Sequence, residues 1–285
     1  MDGRSWAEID VNAPLDGIIY EKGDDGIATI TINRPARGNS LHEPMHRILR
    51  AVWEDIRADD GVRVVIVTGA GERHFSTGAD MGVHSETAGM ATNVTLDEMV
   101  SYTARQNRVW KPMIAAVNGT VAGGGLHFVV DADIVVASDN VVFLDSHVNV
   151  GIVGGLENIG LTKRLPFGTA LRMSLQGRDF RLTAERAYQL GLVDELARPG
   201  EALAEARKIA ASIAANSPQA VTLTQQALWS SLEMGYEASL NNAWALIRIQ
   251  WNHPDFFEGP RAFMEKRAPR WNPDPDARQP VVLTS

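Results

Sequence analysis

A chain of 285 residues, 45% hydrophobic and with a formal net charge of -8, is long enough to bury a substantial core in one or two domains without disulfides or metal. The acidic balance argues against the basic footprint of a nucleic-acid binder, although a local basic cluster can still grip a small phosphate-bearing ligand. The absence of cysteine excludes disulfide scaffolds, thiolate metal sites and cysteine nucleophiles and suits a reducing compartment, so the cytoplasm is the expected location.

Residues 1–18 mix Asp, Glu and Arg with apolar residues, unlike a secretory leader, and no run approaches the roughly 18 uncharged apolar residues of a membrane span. Neither secretion nor membrane insertion is expected. Residues 27–32 (Ile-Ala-Thr-Ile-Thr-Ile) alternate as a half-buried strand does, and Asn33-Arg34-Pro35 ends it. In residues 41–56, Met45, Ile48, Leu49, Val52, Trp53 and Ile56 recur at helical spacing behind Ser40 as the candidate cap. Residues 62–67 form a short β-branched apolar run closed by Thr68-Gly69-Ala70-Gly71, and residues 113–117 repeat the pattern before Asn118-Gly119. Both read as buried parallel strands, and residues 96–110 between them read as a helix. The order β, α, β, α, β predicts a layered α/β core, to which residues 134–137 and 142–144 add short strands. Residues 183–190, 201–215 and 218–234 are rich in Ala and Leu with few strand signals and read as a helical appendage. The tail from Trp271, with Pro273, Pro275 and Pro280, is expected to be flexible at its end. The division expected is a core over residues 1–198 and a helical subdomain with its tail over residues 199–285.

Two stretches carry candidate chemistry: His74-Phe75-Ser76-Thr77-Gly78-Ala79-Asp80 and Asn118-Gly119-Thr120-Val121-Ala122-Gly123-Gly124-Gly125. Each reads as a strand-to-helix turn. Small residues there let backbone N–H groups face a cavity, and a helix N-terminus adds the positive end of its dipole. Two such loops can aim two amides at one oxygen, the geometry of an oxyanion hole. The alternative is that the glycines serve only tight turns and close packing. Neither loop spells Gly-x-Gly-x-x-Gly or a phosphate loop, which disfavours a nucleotide site.

These residues resemble the crotonase (enoyl-CoA hydratase/isomerase) superfamily. The resemblance runs over about residues 18–271 and rests on Asn33-Arg34-Pro35 with Asn39-Ser40-Leu41, on the two glycine loops, on Asp131-Ala132-Asp133-Ile134, on Ala187-Tyr188-Gln189-Leu190-Gly191-Leu192-Val193, and on Phe263-Met264-Glu265-Lys266-Arg267. It implies an α/β crotonase-like fold, a ββα spiral with a C-terminal helical subdomain used for trimerisation, assembled as a homotrimer or homohexamer. It further implies an acyl-CoA thioester substrate, an enolate intermediate held by the amides of Ala79 and Gly124, and no prosthetic group, CoA entering only as part of the substrate.

Typical hydratases of this superfamily hold water with two glutamates twenty residues apart; at the matching positions this chain has His127 and His147. Each imidazole can be a proton-transfer group or a satisfied core or surface histidine. Asp145 shares a strand face with His147 and is a candidate to orient it, or a solvated carboxylate. Glu157 reads most simply as a helix N-terminal charge, and Asp80 and Asp133 as loop-closing groups. His42, His46, His74, His84 and His253 lack metal-ligand spacing, and His42 and His46 read as surface groups on one helix face. By the same resemblance Arg34, Arg37, Lys266 and Arg267 are candidates for the CoA phosphates and Phe263 for packing near the adenine. A lyase or isomerase of the hydratase family is the leading expectation. The alternatives are a retro-Claisen carbon–carbon hydrolase of β-diketone type, since such enzymes of the superfamily use a histidine near Phe143-Leu144-Asp145-Ser146-His147, and a catalytically silent acyl-CoA-binding protein.

Overall fold

The structure, a computed structural model, describes residues 6–82, 95–274 and 276–278. β1 (Ile18–Lys22) and β2 (Ile27–Ile32) pair antiparallel, Ile18 opposite Ile32. α1 (Glu43–Ala58) buries Met45, Leu49, Val52, Trp53 and Ile56 along one face, the three-and-four spacing that turns apolar residues to a core. Its cap position is His42 rather than Ser40. Pro44 is pre-organised for the first turn, and Ser40 is held instead by Arg34, whose Nη1 donates to Ser40 O at 2.7 Å.

β3 (Val64–Gly69) leads to the short β4 (His74–Ser76), and a four-residue α2 (Leu96–Met99) comes before β5 (Met113–Val117). The helix expected over residues 96–110 stops at Met99 because side chains take over the backbone groups beyond it. Asn107 Nδ2 donates to Ser101 O and Thr103 O, Gln106 Oε1 accepts the Tyr102 N–H, and Thr103 Oγ1 accepts the Gln106 N–H. Such local bonds compete directly with the helical ladder. Then follow β6 (Thr120–Ala122), α3 (Leu126–Val130), β7 (Ile134–Ser138), β8 (Val142–Leu144), α4 (Leu156–Arg164), α5 (Phe167–Gln176), β9 (Leu182–Thr183), α6 (Ala184–Leu190) and β10 (Glu195–Ala197).

Two sheets result. The larger runs β1-β2-β3-β5-β7-β10 and the smaller β4-β6-β8-β9. β3, β5 and β7 each give a strand to the large sheet, and the chain then gives the next strand, β4, β6 or β8, to the small one. Within each sheet these strands pair parallel, with Val65 beside Met113 and Val121 beside Phe143. Strands covered on both faces read as continuous apolar runs, which is how residues 113–117 look in the sequence. The two glycine stretches are therefore more than strand-to-helix turns: each contains a short strand of the second sheet.

On the outer face of the large sheet lies α7 (Ala202–Ala214), whose Ala202, Ala206, Ala210 and Ala214 pack on Ile27, Val64, Ile66, Ile114 and Val136. Alanine at every fourth position lets the helix axis come close to the strands. α8 (Pro218–Ser231), α9 (Tyr236–Gln250) and α10 (Pro254–Met264) complete the C-terminal helices. α9 buries none of its residues and exposes Tyr236, Leu240, Trp244 and Ile247. No helix among the described residues is long and apolar enough to cross a membrane.

Candidate active site

The two glycine loops meet backbone to backbone. A Cβ on Gly78 would stand 2.5 Å from Gly124 N, and Gly78 has φ 83°, so only glycine fits there. Leu41 donates its N–H to Gly78 O and accepts the Asp80 N–H, each at 2.8 Å. A residue bracketed this way has its own N–H on the opposite side, and for Ala79 that side faces Gly124. The Cβ position of Gly124 lies 3.6 Å from Ala79 N. Gly124 itself sits in the 3-10 turn Gly123–Gly125 leading into α3, where the first N–H groups have no acceptor within the helix. Among the described residues neither amide has an acceptor, and the two donors stand side by side. The paired loops are braced from behind. Ser76 Oγ donates to Asn39 O at 2.9 Å, and Asn39, fully buried at φ 53°, accepts the Arg34 N–H and donates to Ala70 O and His74 O.

Beside the amides lies a polar chain. His147 Cε1 is 3.6 Å from where a Cβ on Gly123 would stand. His147 Nδ1 bonds Asp145 Oδ1 at 2.6 Å, and its Nε2 is 3.2 Å from Glu157 Oε1. The other carboxylate oxygen of Glu157 is 3.5 Å from His127 Nε2, and His127 Nδ1 meets Gln106 Nε2 at 3.0 Å. At the far end Asn158 Nδ2 donates to Asp145 Oδ2 at 2.7 Å and to Ser174 Oγ at 2.6 Å. Asp145 is fully buried, and Glu157 and His127 are nearly so.

The environments push these groups apart. The hydrogen bond to Asp145 raises the His147 imidazole above its ordinary value, helped by the charge of Glu157 and opposed by burial. Burial would lift Asp145, but the bonds from His147 and Asn158 outweigh it and hold the carboxyl below the usual range. Burial lifts Glu157. Burial, with His147 beside it, pushes His127 down to about 4, so it is neutral at physiological pH. The site thus offers an imidazole biased toward its charged form, a carboxyl biased toward its protonated form, and a neutral imidazole, with the carboxyl within 3.5 Å of both rings.

The family model for enoyl-CoA hydratase/isomerase matches residues 22–274. The chain belongs to the enoyl-CoA hydratase/isomerase family. It is 34% identical over 245 residues to (E)-benzylidenesuccinyl-CoA hydratase of Thauera aromatica, covering 85% of this chain and 94% of the relative. To the mevalonyl-coenzyme A hydratase of Aspergillus fumigatus it is 33% identical over 255 residues, 87% of this chain and 92% of that one. A solved enoyl-CoA hydratase/isomerase from Mycobacterium paratuberculosis superposes with TM-score 0.83 at 36% identity over 92% of this chain and 100% of that chain. The fold is that of the crotonase superfamily, and a family enzyme acting on CoA thioesters is the functional class.

Of the residues singled out from the sequence, Ala79, Gly124, His127, His147 and Asp145 come together at one place. Glu157 corrects its sequence reading: it begins α4, yet its carboxyl is turned inward between two imidazoles. Gln106 and Tyr102 were not anticipated, because nothing local to residues 101–107 signals that they face α3. His46 also departs from its reading as a surface group: it bonds Tyr102 Oη at 2.9 Å, and the Tyr102 ring packs 5.5 Å from that of His127. Burial lowers it. His42 bonds Asp16 at 2.9 Å, His253 is fully buried at the start of α10, and His84 lies outside the described residues. Asp80 and Asp133 do close loops, Asp80 on Arg34 at 2.9 Å and Asp133 on the N–H of Met113 and the side chains of Gln225 and Trp229.

The CoA-side candidates are more dispersed. Arg34 has both terminal nitrogens committed, Nη1 to Ser40 and Nη2 to Asp80. Arg37 is exposed, Phe263 is 85% exposed at the end of α10, Lys266 follows it at φ 53°, and Arg267 pairs with Glu258 and Glu265. A cavity of about 770 Å³ lies elsewhere, under α8, lined by Ile134, Ile213, Val221, Leu228 and Trp229. It holds no pair of groups poised for proton transfer, since its Asp133 is already spent on three donors. Among the described residues no cluster of His, Asp and Glu could hold a metal ion.

Proposed function

We propose that the chain binds an acyl-CoA thioester with the carbonyl oxygen between the amide N–H groups of Ala79 and Gly124, that His147 and Glu157 move protons on the acyl chain beside it, and that His127 takes part in the catalysis next to them. One observation carries this reading: the Glu157 carboxyl lies within 3.5 Å of Nε2 of both imidazoles, next to the loop that holds the paired amides. Negative charge that develops on the thioester oxygen as an α-proton leaves would be met by two fixed donors already in place. His147 and Glu157 share the proton between them, so one can deliver a proton as the other receives one. Asp145 holds the His147 ring in place and favours its charged form. Histidine thus stands in for both glutamates of the typical hydratase, and Glu157 supplies the carboxyl. This makes the chain a lyase or isomerase of the hydratase family, a cytoplasmic enzyme with no prosthetic group.

Arg37 and Lys266 would meet the CoA phosphates with Arg34 behind them, and Phe263 the adenine. The apolar surface of α9 would be covered in a homotrimer or homohexamer built through residues 199–285, with residues 1–198 forming the catalytic core. A second reading, cleavage of a carbon–carbon bond by water in a retro-Claisen reaction, is favoured by the 2.6 Å Asp145–His147 pair, which is the arrangement of a water-activating base. Turnover of crotonyl-CoA, 3-oxoacyl-CoA thioesters and cyclic β-diketones, followed by mass spectrometry, separates the two. Conversion of a CoA thioester that is lost in His147→Ala supports the first reading. Conversion of the CoA-free diketones alone supports the second, and CoA binding without turnover of any of them would show a silent binding protein.

A further inference from the structure

Gln106 has been given no part in the chemistry so far, yet its carboxamide touches His127. Swapping the oxygen and nitrogen of such a group changes the hydrogen-bond pattern and little else, so neighbours decide its orientation. Tyr102 presents a backbone N–H, which can only donate, 2.9 Å from Gln106 Oε1. The oxygen must face Tyr102. That leaves Nε2, which can only donate, 3.0 Å from His127 Nδ1. A ring nitrogen that receives a hydrogen bond carries its lone pair there, so the proton of the neutral imidazole is on Nε2, the nitrogen facing Glu157. We propose that Gln106 is a positioning residue that locks His127 in the Nε2–H tautomer and opposes its protonation, so that this ring can act on Glu157 and substrate only as a neutral donor.

The lock is well anchored. The Gln106 N–H donates to Thr103 Oγ1 at 3.2 Å, and Thr103 Oγ1 donates to Asp131 Oδ2 at 2.8 Å. Asn107 ties Ser101 to Thr103, and Trp53 Nε1 donates to Tyr102 O at 2.8 Å. An imidazolium at His127 would set N–H against N–H at Nδ1, unless the amide turned over and left the buried Tyr102 N–H without its acceptor. The titratable groups facing the ring are Glu157 of α4, His147 after β8, His46 of α1 and Tyr102. Of these only Glu157 would welcome a positive charge, and it sits at Nε2, not Nδ1. Read in order, Tyr102 N–H donates to Gln106, Gln106 donates to His127, and the Nε2–H of His127 faces Glu157 Oε2 at 3.5 Å, so the donors all point one way.

The proposal rests on the catalytic role given above to His127, but its first test does not. In the full-length protein labelled with 15N in the histidine rings, NMR should show His127 Nδ1 unprotonated and Nε2 protonated at neutral pH. Gln106→Glu presents only lone pairs to Nδ1, so the ring should become Nδ1–H or charged. Its titration midpoint should move up by about one to three pH units, the usual effect of an opposite charge at this range. Gln106→Met, which removes the donor without adding charge, should abolish the exclusive Nε2–H signature and serves as the test if the Glu variant does not fold. With an identified CoA thioester, Gln106→Glu should lower kcat by roughly 10²-fold or more with KM little changed. An Nδ1–H signature in the parent, or an unchanged Nε2–H signature in both variants, overturns the proposal. A tautomer that switches without loss of turnover instead overturns the catalytic role of His127.

Discussion

Gly124→Ala perturbs the paired amides while barely touching the fold. A methyl group built at Gly124 meets Gly78 Cα at 3.4 Å and Ala79 N at 3.6 Å, ordinary contact distances, and Gly124 is not among the residues with positive φ. Its effect on folding should therefore be small, and the stiffer unfolded chain can make the variant about 0.4–1 kcal/mol more stable. The methyl, however, stands in the gap between the two loops, where an oxygen accepting from Ala79 N at about 2.9 Å would have to sit. Displacing that oxygen from one donor should lower kcat about 10²- to 10³-fold, equivalent to about 2.7–4 kcal/mol. Gly123→Ala is the contrasting control. Its φ of 49° is left-handed and a Cβ would reach His147 Cε1 at 3.6 Å, so it should lose about 1–2 kcal/mol of stability from the backbone alone. Ala79→Gly keeps its N–H and should keep turnover. Denaturant unfolding and steady-state turnover, measured on all three variants, give the comparison. Full activity in Gly124→Ala would refute the placement of the carbonyl oxygen, and unfolding of Gly124→Ala would refute the open gap.

Glu157→Gln should cut turnover by about 10²- to 10⁴-fold and lower the His147 titration midpoint, because the carboxylate charge helps to raise it; kinetics and histidine NMR report both, and an unmoved midpoint would contradict the pairing. Asp145→Asn should lower the same midpoint further, since that hydrogen bond is the largest cause of the shift. The raised His147 contributes stability that is complete below its unfolded value of about 6.5 and lost as pH rises through the folded one; the depressed Asp145 contributes stability present above about 3.9 and lost as pH falls through its folded value. Denaturation curves should therefore show the parent's advantage over Asp145→Asn largest between about pH 4 and 6.5 and shrinking on the alkaline side. Asn39→Ala strands the Arg34 N–H and leaves Ala70 O and His74 O without that donor, at φ 53°, so unfolding free energy should fall by about 3 kcal/mol or more, with only part recovered in Asn39→Gly.

Local pattern made much of the fold legible. The apolar runs read at residues 62–67 and 113–117, which fold as β3 and β5, lack the alternation of a half-exposed strand, and strands of that kind must be covered on both sides, so a layered parallel sheet follows from them directly. The helix over 43–58 is written in the spacing of Met45, Leu49, Val52 and Ile56. The motifs around Gly78 and Gly123 through Gly125 marked the two loops that meet in the fold, because a loop that must bring backbone within touching distance of backbone has to dispense with Cβ. His127 and His147 stood out at the two positions where the resemblance implies glutamate, and the fold brings both to Glu157.

What the sequence could not decide was which partner each polar side chain would find. Residues 96–110 carry enough apolar residues to read as a helix, yet Asn107, Gln106 and Thr103 spend their side chains on nearby backbone, and only the packed loop shows that these bonds win. Glu157 looks like a dipole-favoured helix start; its inward carboxyl depends on α4 lying against α3 and on the chain after β8 passing the same point. The identity of the ring nitrogen that carries the proton in His127 depends on an amide twenty-one residues earlier in the chain, oriented by a single Tyr102 N–H. Secondary structure follows from periodicity because backbone hydrogen bonds and apolar burial repeat along the chain. Hydrogen-bond direction and proton affinity do not repeat: they are set by burial and by charges brought within about 3–4 Å from distant segments, and those distances exist only once the chain is folded.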